Sequence, residues 1–376
     1  CVSTPEPLME PPVGLALADS QGAADASIHF VTLRNRTPAP EGHQYGKRPG
    51  RKSRFGSATV RLQREALEVV AFEESAALPH DQMHQFSDPG VQRFVTDLSA
   101  ALDERPSRDL LIYVHGTKVR FARPVSRAAE FQHFGGTRFA TLAFDWPSHA
   151  NILAYLLGPD RKRAENSAQA LAHLLEWIGE ESSAERIHVL AYSAGCETLV
   201  RALTQLRKRH PELDEAALHE RFRIANAVFA SGDVELAEFL ADLPSIHAIA
   251  ARTTVFTAEA DNALDAAEKY MGGTVRLGDD RQHFTIEDAS IFAQYPRLDI
   301  IDVSLGRETR GFDIKGHHYW YRHPWVAADV LMLVLTDLGA RERGLHQSDS
   351  DAAWMLPPDY PKRLRQFARS KGFPTR

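Results

Sequence analysis

Six short, almost wholly apolar runs constrain this chain more than any other feature. They are LLIYV at 110–114, FATLAF at 139–144, IHVLA at 187–191, IANAVF at 224–229, TTVFT at 253–257 and LDIIDV at 298–303. Residues 91–102, 125–134, 166–180 and 195–209 have helix-like apolar spacing, and 325–338 reads as a closing helix. Apolar strands with polar positions on neither side must be buried on both faces, and helices are what bury them. The expected fold class is α/β, with a mostly parallel central sheet and helices on both faces. Upstream, 28–33 and 58–62 also read as strands, while the prolines and glycines of 37–54 predict a loop.

Active sites of such sheets lie at the carboxyl ends of the strands, so the residues there are decisive. Strand 187–191 runs into Tyr192-Ser193-Ala194-Gly195, after which a helix begins. A sharp strand-to-helix turn of this kind lifts a serine hydroxyl above the sheet, and it needs small neighbours such as Ala191 and Gly195. Ser193 is the expected nucleophile. Strand 110–114 ends in His115-Gly116-Thr117; the amides of Ala194 and Thr117, with Gly116 freeing the backbone, form the expected oxyanion hole. An acid and a base should follow in that order. Asp261 after strand 253–257 and His317 after strand 298–303 are the expected pair, with Asp233 and His318 as alternatives. His115, Trp146 and Tyr192 are expected near the substrate pocket. Residues 149–163 or 265–296 are candidates for a cap.

The remaining composition narrows the classes. A formal net charge of -6 argues against a nucleic-acid binder. The basic run from Lys47 to Arg54 reads as a solvated loop, with a phosphate or headgroup site as the alternative. No run of eighteen apolar residues occurs, and 330–335 reads as one face of a buried helix. Two cysteines give no disulfide framework, and Cys196 is expected to pack as a small hydrophobe. His317 and His323 lack companions at metal-ligand spacing, so neither metal nor cofactor is expected.

Taken together, HGT from His115, FDWPS from Phe144, AYSAG from Ala191, DNAL from Asp261, RLG from Arg276 and GHHYW from Gly316 resemble an uncharacterised bacterial group of α/β hydrolases. Tyr192, Ala194 and Asp145 depart from the pattern usual in that group, changes expected to alter the pocket wall. The resemblance implies an α/β-hydrolase fold and a serine-dependent carboxylic-ester hydrolase acting on a small or lipid ester through an acyl-enzyme. An acyltransferase with the same triad and a non-catalytic binding scaffold are the alternatives. Cys1, followed by a Pro-rich stretch, resembles the lipid-bearing end of a bacterial lipoprotein. It implies export and anchoring at the cell envelope, with the membrane touched only through that lipid. The expected organisation is a tether over 1–27, a hydrolase domain over 28–340 and a tail over 341–376 packed on the domain.

Overall fold

The computed structural model describes residues 8–18, 24–38, 44–63, 66–83, 86–149, 159–258, 264, 274–279, 284–304, 317–348 and 353–375. In chain order the elements are β1 (Ala24–Arg36), β2 (Tyr45–Gln63), β3 (Ala66–Pro79), α1 (Pro89–Asp103), β4 (Asp109–Val114), α2 (Ala122–Phe134), β5 (Ala140–Asp145) and α3 (Pro159–Glu181). There follow β6 (Arg186–Tyr192), α4 (Gly195–Arg209), α5 (Glu215–Phe222), β7 (Ile224–Ala230), α6 (Leu236–Ile249), β8 (Arg252–Thr257), α7 (Ile286–Phe292) and β9 (Leu298–Asp302). The chain closes with the single turn α8 (Tyr319–Arg322), α9 (Pro324–Thr336), β10 (His346–Gln347), β11 (Trp354–Met355) and α10 (Tyr360–Ser370).

The strands form one sheet in the order β10-β11-β9-β8-β7-β6-β4-β5-β1-β2-β3. From β1 to β11 the pairs are parallel; the marginal pairs β1–β2, β2–β3 and β10–β11 are antiparallel. The two-residue period of a strand explains why the core divides as it does. On β4, Leu110, Ile112 and Val114 enter the cluster covered by α1, α3, α4 and α6, whereas Leu111 and Tyr113 enter the one covered by α9 and α10. On β5, Leu142 and Phe144 join the first cluster, and Ala143 meets the Val125, Ala128 and Ala129 stripe of α2 on the opposite face.

Two expectations about the flanks are corrected. Residues 45–54, expected as loop, belong to β2, where Tyr45, Pro49 and Arg54 pair with β1 and residues from Lys52 onward also pair with β3. Its proline is tolerated because Pro49 sits at an irregularity: it pairs with Arg34, Arg54 pairs with Thr32, and residues 50–53 bulge out between them. Residues 8–18, expected as tether, are docked. Met9 and Leu15 are buried in the α9 cluster, and backbone amides of Glu10, Val13 and Ala16 donate to Tyr321, Pro324 and Pro374 carbonyls. At the other end, β11 extends the sheet beside β9, and Tyr360, Leu364 and Ala368 of α10 are buried in the same cluster. Cys1 lies outside the described residues.

Candidate active site

Ser193 follows β6 at φ 52°, a left-handed conformation that a residue with a side chain adopts at a cost of about 1–2 kcal/mol. The surroundings hold it there. Its amide donates to the Ala230 carbonyl at 3.0 Å, and its carbonyl accepts from the amides of Cys196 at 2.9 Å and Asp233 at 3.3 Å. Gly195 is required by space: a β-carbon there would stand 2.5 Å from the His115 carbonyl oxygen and 2.7 Å from that of Val114. The first turn of α4 therefore presses directly on the end of β4.

The Ser193 hydroxyl lies 2.7 Å from Nε2 of His317, 124 residues away in sequence. The histidine's own backbone is tied down. Its carbonyl accepts from the Tyr192 hydroxyl at 3.0 Å and the Ser231 hydroxyl at 3.3 Å. Two residues later the Tyr319 hydroxyl donates to the Phe256 carbonyl at 2.8 Å and accepts from the Ser231 amide at 3.2 Å. Three strand ends thus grip the segment that carries the imidazole. His318 has a different contact: its Nδ1 is 2.8 Å from the Tyr192 hydroxyl. That hydroxyl has one proton, and the His317 carbonyl can only accept, so His318 Nδ1 is the donor.

Of the two acid candidates, Asp261 lies outside the described residues. Asp233 occupies the turn after β7, buried, with its carboxylate 3.5 Å from Nε of Arg276. At the expected oxyanion hole, Ala194 stands at the N-cap of α4, and among the described residues its amide donates to no acceptor. Gly116 comes so close to the elbow that a β-carbon on it would be 2.9 Å from Cβ of Ser193 and 3.2 Å from the Tyr192 carbonyl. Thr117, next in the loop, is half-buried.

Sequence reasoning missed what lies beneath this loop. Asp145, at the end of β5, is fully buried and accepts from Nε of Arg34 at 2.8 Å and from the Thr32 hydroxyl at 2.5 Å. Its Oδ1 is 3.0 Å from Nε2 of His115. Burial acts to raise the Asp145 pKa, but the Arg34 guanidinium, His115 and Thr32 outweigh it and hold the carboxyl below its ordinary value. Arg34 spends its remaining donors on the carbonyls of Ser148 at 3.1 Å and Val119 at 3.2 Å. His115 Nδ1 donates to the Gly116 carbonyl at 2.5 Å, and Trp146 Nε1 donates to the His115 carbonyl at 2.6 Å.

The Trp146 and His115 rings are stacked, with centroids 5.3 Å apart, and both are fully buried. These two residues therefore support the loop at 115–117 from below instead of facing a pocket. The same holds for Asp145, expected to alter the pocket wall. Tyr192, also buried, braces the histidine segment. The available signal was the strand pairing of Thr32 with Asp145, which no pattern of residue types reveals.

Cys196 is buried behind Ser193, and burial pushes its thiol well above the usual range, so it offers no ready thiolate. Among the described residues no group of three His, Cys, Asp or Glu side chains is arranged to hold a metal, and no helix is long and apolar enough to cross a membrane. No match is found among curated proteins. The profile of one family does match, over residues 92–331, and it spans β4 to β9, the elbow, the loop at 115–117 and His317. On that match, covering well over half of the 376 residues, the chain belongs to the α/β hydrolases of unknown function (DUF900).

Proposed function

We propose that the protein is a serine hydrolase of carboxylic esters that works through an acyl-enzyme. The observation that carries this reading is the 2.7 Å contact between the Ser193 hydroxyl and His317 Nε2, made at a left-handed elbow. His317 takes the hydroxyl proton as Ser193 Oγ attacks the ester carbonyl. Negative charge then develops on the carbonyl oxygen, where the amides of Ala194 and Thr117 are the donors assigned to receive it. Collapse expels the alcohol, which takes the proton from the imidazolium. Water, deprotonated by His317, then releases the acid. Asp261 is assigned to orient the imidazole, on its position after β8 and the order Ser, Asp, His.

A fluorophosphonate probe tests the nucleophile. The expected result is one phosphonyl adduct, mapped by mass spectrometry to Ser193, with labelling and turnover of activated esters both lost in Ser193→Ala. A folded protein that takes up no probe, or takes it up elsewhere, would remove the reading.

A further inference from the structure

The basic run read from the sequence as a solvated loop lies in a specific place. Residues 50–53 of β2 bulge out opposite Leu33, between the pairs Pro49–Arg34 and Arg54–Thr32. Thr32 pairs in turn with Asp145, the last residue of β5. The bulge is therefore at the carboxyl rim of the parallel sheet, the rim that carries Ser193. From β6 to β2 there are four strand steps through β4, β5 and β1, about 19 Å at roughly 4.8 Å each.

One arginine ties this rim to the oxyanion loop, and a second ties it to the segment after β5. Arg34, whose backbone pairs with Pro49, reaches the Val119 carbonyl with its side chain at 3.2 Å. Arg163 donates to the carbonyls of Lys47 at 3.2 Å and Pro147 at 3.0 Å. Along the rim Lys47, Arg48, Arg51 and Lys52 are exposed, and the oxyanion loop adds exposed Lys118 and Arg120 immediately after Thr117. None of these six has a carboxylate within ion-pair distance among the described residues. The nearby Glu74 is engaged by Arg54 and Arg36. Other cations on the surface do find acids: half-buried Arg161 bonds Glu235 and Glu238, and exposed Arg221 bonds Glu180. In a chain of net charge -6, six unmatched cations gathered at one rim form a local field of the opposite sign.

Resting on the hydrolase reading, we propose that this rim receives the phosphate of an anionic ester, so that the substrates are esters bearing a phosphate group. The phosphate belongs either to a soluble phosphate ester or to a lipid headgroup. In both cases Lys118 and Arg120 follow Thr117 on the loop whose Gly116 touches Ser193, and the β2 bulge extends the positive surface outward.

Two arms test it on the full chain, with wild type compared against Lys47→Glu/Arg48→Glu and Arg120→Glu, all exposed positions. The first arm takes the ratio of kcat/KM for butyryl glycerol phosphate to that for uncharged butyryl glycerol. The ratio is expected to exceed one in wild type, to fall about tenfold in the charge-reversed chains, and to fall with added salt. The second arm measures sedimentation with phosphatidylcholine vesicles with and without phosphatidylglycerol. A lost ratio with unchanged sedimentation identifies a soluble phosphate ester. Lost sedimentation with an unchanged ratio identifies a headgroup. If neither moves, the rim binds no phosphate and the proposal is overturned. Should wild type hydrolyse neither ester, the fluorophosphonate result decides the hydrolase reading by itself, and the vesicle arm still decides about the rim.

Discussion

Replacing Asp145 by Asn probes the support beneath the oxyanion loop more sharply than any change at the catalytic residues. The two side chains of the Arg34–Asp145 pair have no exposed surface. Removing the charge of one leaves the Arg34 guanidinium buried beside a neutral amide, and breaking a buried pair in this way costs about 3–5 kcal/mol. That is a large fraction of the roughly 5–15 kcal/mol that holds a typical domain folded. Urea unfolding, followed by the fluorescence of Trp146 and the other tryptophans, gives the loss directly. The pair Arg34→Met/Asp145→Leu leaves no charge stranded and should be less destabilised than either single change. Activity reports the second consequence. With His115 and Val119 less firmly held, kcat should fall about tenfold or more, approaching the roughly hundredfold loss of a whole oxyanion donor, with KM little changed. A single Asn variant that loses under about 1 kcal/mol, or a double change that is simply additive, would refute the reasoning.

Gly195→Ala should cripple turnover, because the new methyl meets two backbone carbonyls that move only if the end of β4 and the oxyanion loop move with them; a kcat within twofold of wild type would contradict this. Tyr192→Phe removes the hydroxyl that holds the His317 carbonyl, worth about 1 kcal/mol, so kcat should drop about fivefold at constant KM. Acid should weaken the fold well above the carboxylate range. Burial lowers the pKa of His29, His188 and His323 from 6.5 to about 4 each. Between those values the unfolded chain binds more protons, so the stability these groups contribute is full above pH 6.5 and is lost as the pH falls toward 4, up to about 3 kcal/mol per group. Melting temperature against pH measures this, and His188→Gln should flatten the decline. His188 is the cleanest case because its Nδ1, which accepts from Asn226 at 2.9 Å, must give up that bond when protonated.

Much of the centre was legible because its signals are local. An apolar strand, a serine among small residues and a following helix lie within one stretch of chain, and β4 to β9 with the elbow follow from periodicity alone. The margins were harder. β3 alternates apolar residues with glutamates and is half-exposed for most of its length, and β2 carries a proline, two glycines and five cations before its apolar stretch. Such segments become strands only because a neighbour is available to pair with. The bracing of the site depends on similar tertiary facts. Nothing about Arg34 in the sequence says that it will be buried, since arginine is ordinarily a surface residue, and its partner is 111 positions away.

The docking of residues 8–18 has a consequence for how the molecule is made. Ala16 bonds to Pro374, and Gly14 packs against Arg365 and Leu364, so residues 14–16 rest on a segment made about 350 residues later. At roughly 5–20 residues per second a ribosome takes tens of seconds to connect those two points. For that interval Ala16 lacks its acceptor and Gly14 its packing partners, and a nascent chain stalled before α10 would leave uncovered the part of the α9 cluster that Tyr360, Leu364 and Ala368 close.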